Sequence, residues 1–126
     1  MTIQEITILN NGTQERATIE YDRTTRTLSI SFIDGTNKTY SALDIYICFG
    51  LLRKEFGHVK FLCKGAKVNV HTSAMPSQMS NGLVAYEVTM GESDGKLVRI
   101  FDYEEHDLTN DIQEQISFRD CWANSL

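Results

Sequence analysis

Residues 17–57 read ATIEYDRTTRTLSISFIDGTNKTYSALDIYICFGLLRKEFG, and the hydrophobic period changes once within them. Ala17, Ile19 and Tyr21 alternate with Thr18 and Glu20. After the polar run Asp22 to Arg26, Leu28, Ile30 and Phe32 alternate with Ser29 and Ser31 until Asp34-Gly35 closes the segment. Alternation sends successive side chains to opposite faces, so these are strands with one buried and one wet face. From Ser41 onward the spacing becomes helical: Ile45, Phe49, Leu52 and Phe56 fall on one face. The spacing predicts a helix near 42–56. Ser41 is the expected N-cap, Asp44 complements the free N–H groups, Arg53 and Lys54 occupy the last turn, and Gly57 follows the end.

Working outward, Ile6 and Ile8 alternate on the N-terminal side, and Asn11-Gly12 is a strong hairpin signal. On the C-terminal side, Val59, Phe61 and Cys63 alternate with His58, Lys60 and Leu62, and Lys64-Gly65 breaks the run. Val68 and Val70 continue the strand character. Val84, Tyr86, Val88 and Met90 predict one long strand, and Leu97 to Phe101 another. Asn110 with Gln113 resembles a capping box, and Ile112, Ile116, Arg119 and Trp122 mark one face of a C-terminal helix. Strands, a helix, strands and a last helix point to an α+β fold: an antiparallel β-sheet with one central helix packed on a face and a C-terminal helix. The 126 residues hold one proline and no linker-like tract, so residues 1–126 are expected to form a single domain.

Composition narrows the function. No run approaches the ~18 apolar residues of a membrane span. The start, MTIQEITILNNGTQE, lacks a basic and then apolar leader, which predicts the cytoplasm. A net charge of −5 argues against a general nucleic-acid binder and suits a basic protein partner. Cys48, Cys63 and Cys121 form no CxxC pair and are expected to be free thiols, mostly buried.

Five features carry candidate chemistry. Cys63 lies between His58 and His71, with Asp102 available to orient an imidazole, but its alternation with Val59 and Phe61 reads as packing. His58, His71 and His106 have no metal-ligand spacing, so no metal is expected. Gly65 and Gly82 belong to no phosphate-binding motif, so no cofactor is expected. The stretch DYEEHDLTNDIQE, residues 102–114, holds six carboxylates and no lysine or arginine. It is either a solvated loop leading into a helix or a docking surface for a basic partner, with Tyr103, Glu104, Glu105, Asp107, Asp111 and Glu114 as contacts. Met75 and Met79, flanking Pro76, are either a core lid or an exposed sulfur-rich contact.

The pattern Cys63-Lys-Gly65-Ala66, Asn69-Val70, Ser73-Ala-Met75, Met79, Gly82, Ala85-Tyr86, Gly91 and Phe101-Asp102 resembles small bacterial proteins encoded beside polymorphic toxins. These include immunity proteins of contact-dependent inhibition and Rhs systems. The resemblance covers roughly residues 60–102 and implies a non-enzymatic protein that binds and neutralises one cognate toxin domain, often a nuclease. It brings no binding residues with it; the six contacts above come from the acidic cluster and the aromatic Tyr103 within it. A chaperone or adaptor for a secreted effector would also be small and acidic, and a cysteine hydrolase would have to use Cys63 and His71.

Overall fold

The computed structural model describes residues 1–72 and 80–126. The expected lid around Met75 and Met79 lies outside the described residues. The chain opens with a meander of four antiparallel strands, β1 (Thr2–Asn10), β2 (Thr13–Asp22), β3 (Thr27–Ser31) and β4 (Asn37–Ser41). Asn11 and Gly12 form the two-residue loop between β1 and β2, with φ of 52° and 84°; left-handed backbone at both positions matches the strand twist, hence Asn-Gly. Helix α1 (Ile45–Glu55) follows, and then β5 (Val59–Phe61) returns to pair with β1, giving the order β4-β3-β2-β1-β5.

Ile6, Ile8, Ala17, Ile19, Tyr21, Leu28 and Ile30 line the buried face of this sheet, and Ile45, Phe49 and Leu52 of α1 pack against it. The opposite face carries exposed or half-exposed residues such as Arg16, Thr18, Ser29 and Thr39. A second antiparallel sheet, β6 (Val70–His71), β7 (Val84–Glu87) and β8 (Lys96–Arg99), adds Val70, Ala85 and Val98 to the same core. Helix α2 (Ile112–Asn124) closes the chain. The fold is therefore α+β, with one central and one C-terminal helix. Among the described residues no helix is long and apolar enough to cross a membrane.

Local details depart from expectation for identifiable reasons. Ser41 is not the N-cap of α1, because it pairs with Thr27 as the last residue of β4. Asp44 caps instead, its carboxylate accepting the Ile47 N–H at 2.8 Å. The strand expected from Val84 to Met90 stops at Glu87, where the Val88 N–H turns to the Asn69 carbonyl at 3.0 Å. The strand expected to end at Phe101 stops at Arg99, and the Ile100 N–H bonds the Leu83 carbonyl at 3.0 Å.

Candidate docking surface along the C-terminal helix

Helix α2 begins at Asp111, whose carboxylate accepts the Gln113 N–H at 2.9 Å. Asn110, the expected cap, donates its amide to the Val59 carbonyl at 2.7 Å and ties the helix start to β5. The expected apolar face, Ile112, Ile116 and Trp122, is only half-buried. The side chain that anchors the helix is Gln115, its one fully buried residue. Its amide group donates to the carbonyls of Gly65 at 2.9 Å, Lys67 at 2.8 Å and Val70 at 3.3 Å. Its oxygen accepts from Arg53 of α1 at 2.9 Å.

Arg53 is itself fully buried. It donates to the carbonyls of Thr109 and Phe49 and stacks its guanidinium 4.8 Å from the centre of the Phe49 ring. Burial pulls its pKa down to about 10, so it stays charged at neutral pH. The two helices meet at Gly50, where a Cβ would stand 2.8 Å from Ile112 Cδ1. Arg53, Gln115 and this close approach fix how α2 presents its outer face.

That outer face borders an open groove of about 400 Å³ lined by Val68, Met90, Asp111, Glu114, Phe118 and Cys121 among others. Its middle is apolar: Met90 is 44% exposed, two residues past the buried Val88, and Phe118 is half-buried. Carboxylates stand at one end. Asp111 and Glu114 line the groove directly, and Asp107 borders it, since its carbonyl accepts the Val68 N–H at 2.8 Å. Tyr103 and Glu105 lie further along the preceding loop, exposed and joined by a 3.0 Å hydrogen bond from the phenol to the carboxylate.

Glu104 behaves differently from its neighbours. It turns inward to accept from Lys64 at 3.2 Å and from the N–H groups of Glu105 and His106 at 3.0 and 3.1 Å, and it pairs with Lys67 at 3.3 Å. Lys67 also pairs with Glu87 at 2.8 Å. The carboxyl is held down at about 2: burial would raise it, but the His106 and Glu105 N–H groups and the two ammonium groups outweigh that. A depressed carboxyl stabilises the fold above its ordinary value of 4.5 and loses that contribution as pH falls toward about 2. Glu104→Gln should therefore flatten the acid limb of the stability profile, whereas Glu105→Gln should leave it in place; urea unfolding measured across that range checks this. Five of the six expected contacts thus face solvent, and the sixth is structural.

Val68, Met90 and Phe118 were not singled out from the sequence as a surface, because they come from three distant segments: Val68 and Met90 read as strand residues, and Phe118 is not on the helix face that Ile112, Ile116 and Trp122 mark. The cysteine candidate is absorbed by packing. Cys63 is fully buried, and burial pushes its thiol up to about 12, the opposite of an activated nucleophile. Cys48 is buried too, while Cys121 is exposed. His58 and His106 are exposed, His71 is buried, and no group of three metal-ligating side chains is found among the described residues. Gly65 lets the chain pass Ile100, whose carbonyl would lie 3.0 Å from a Cβ, and Gly82 sits against Asp44 and Tyr46 at the start of α1 with φ of 86°. Comparison with known protein families and with curated proteins finds no match to either.

Proposed function

We propose that this chain is a protein-binding domain of the immunity type, which docks onto the basic surface of a cognate toxin domain, of the nuclease class, and blocks it. The observation that carries the reading is the groove along α2, where exposed Met90 and half-buried Phe118 form an apolar centre beside Asp111 and Glu114. Apolar centres with polar rims are the anatomy of protein interfaces. A nuclease must present lysine and arginine to phosphates, so carboxylates at the rim both steer its approach and reject acidic competitors. The overall charge of −5 acts in the same direction. On this reading the protein works in the cytoplasm and needs no cofactor.

The second reading, a chaperone or adaptor for a secreted effector, would use the same apolar centre to hold an unfolded segment. It predicts binding that depends on Met90 and Phe118 and little on the rim. A cysteine hydrolase finds no support in the buried, high-pKa thiol of Cys63. Co-expression with the product of the neighbouring gene, followed by co-purification, separates these. The immunity reading expects a stoichiometric complex with a folded, basic partner. Capture of an unfolded acidic segment, with the rim carboxylates neutralised at no cost, would favour the adaptor.

A further inference from the structure

Beyond Cys121 the surface of α2 continues into a second, separate pocket of about 360 Å³, lined by His71, Tyr86, Val88, Asp94, Gly95 and Trp122 among others. Trp122 is held in place: its indole N–H donates to the Glu92 carbonyl at 2.8 Å, and its ring lies 5.7 Å from that of His71. The Tyr86 ring lies 6.4 Å from that of His71. His71 is only 8% exposed, its Nδ1 is sealed with no hydrogen-bond partner among the described residues, and no bond from its other nitrogen is found there. Burial first, and the nearby charge of Arg119 second, lower its pKa, so the imidazole is neutral at neutral pH and keeps one lone pair as an acceptor. Arg119 is ion-paired with Asp120 at 3.3 Å and does not line the pocket. The one carboxylate in the lining, Asp94, is exposed and has no ion pair among the described residues.

An aromatic wall and a free carboxylate, beside an imidazole that carries no competing charge, together define a site for a planar cation. We infer that this pocket receives an arginine side chain of the bound partner, its guanidinium stacked on Trp122 and paired with Asp94. The inference rests on the docking reading above and deepens it. An ammonium is a compact point charge that stacks poorly, and an anion would meet the Asp94 carboxylate. Cys121 lines the groove and Trp122 lines the pocket, so the two sites are consecutive on α2. From Glu114 to Trp122 the helix rises only about 12 Å, well within one interface of ordinary size.

Trp122 is the only tryptophan, so its fluorescence reports on this pocket directly. The test titrates the isolated protein with N-acetyl-arginine amide, and separately with the uncharged isostere N-acetyl-citrulline amide. A saturable change with the arginine compound, with a Kd of about 1–10 mM, is expected. The citrulline compound should give none, and Asp94→Asn should weaken the arginine compound about threefold, as for an exposed ion pair. No saturation, or an equal response to both compounds, would overturn the inference. The outcome is independent of the docking reading: the titration needs no partner, and the rim variants that test docking leave Asp94 and Trp122 untouched.

Discussion

Gln115→Ala is expected to lower the stability of the folded chain by about 3–5 kcal/mol, although the substitution removes only one buried methylene besides the amide. The cost comes from what the side chain leaves behind. The Gly65, Lys67 and Val70 carbonyls lose a common donor, and the buried Arg53 loses its amide acceptor. The Gly65 and Lys67 carbonyls are left without that donor in a buried site, whereas the Val70 carbonyl keeps the Tyr46 hydroxyl at 2.8 Å. The measurement is the urea midpoint with an unchanged slope, which reports stability without a change in the unfolded ensemble. Arg53→Met should cost less in the Gln115→Ala background than in the parent, because the two residues share one hydrogen bond, with a coupling of at least about 1 kcal/mol. A loss below about 1 kcal/mol for Gln115→Ala would mean that α2 is held by its half-buried apolar residues instead.

A similar loss, about 3–5 kcal/mol, is expected from Phe49→Ala, by a different mechanism. Phe49 is fully buried on α1. It meets Phe61 of β5 edge-on at 5.8 Å and Phe101, just past β8, at 5.2 Å. One ring thus joins the central helix to an edge strand of the first sheet and to the segment that leaves the second, and its face also supports the Arg53 guanidinium. Truncation opens a cavity among side chains that belong to different elements and cannot all collapse into it. Thermal or urea unfolding measures the effect. A change below about 0.5 kcal/mol would place the residue outside the core.

What could be read from the residues follows from the range of the interactions involved. The alternation of Ala17, Ile19 and Tyr21, that of Leu28 and Ile30, and the helical spacing of Ile45, Phe49 and Leu52 are local patterns with one apolar side. Burial acted on them as expected. Strand β4 has no such pattern, because Asn37, Lys38 and Thr39 sit exposed at the sheet edge, and so Ser41 looked like a cap. Gln115 was invisible as an anchor, since a polar residue on a helix reads as solvated until the carbonyls it bonds, 45 to 50 positions earlier, are brought beneath it. Glu104 was counted with the free carboxylates for the same reason: its lysine partner Lys64 is 40 positions away. The charge of the 102–114 stretch was plain from composition. That Met90 and Val68 would stand beside Asp111 and Glu114 was not, because only the packing of α2 against the second sheet brings them together.

The central claim is that the acidic end of the α2 groove meets a basic partner. The most direct measurement is the association rate of the co-purified partner, taken at low and high salt, for the parent and for a variant carrying Glu105→Gln, Asp107→Asn, Asp111→Asn and Glu114→Gln. Asparagine at position 111 keeps the helix cap, so the fold is retained while the charge is lost. The account predicts association roughly tenfold slower at low salt and a much shallower salt dependence, with dissociation changed less. Association, dissociation and salt dependence all matching the parent would contradict it, and the carboxylates would then be an ordinary solvated face.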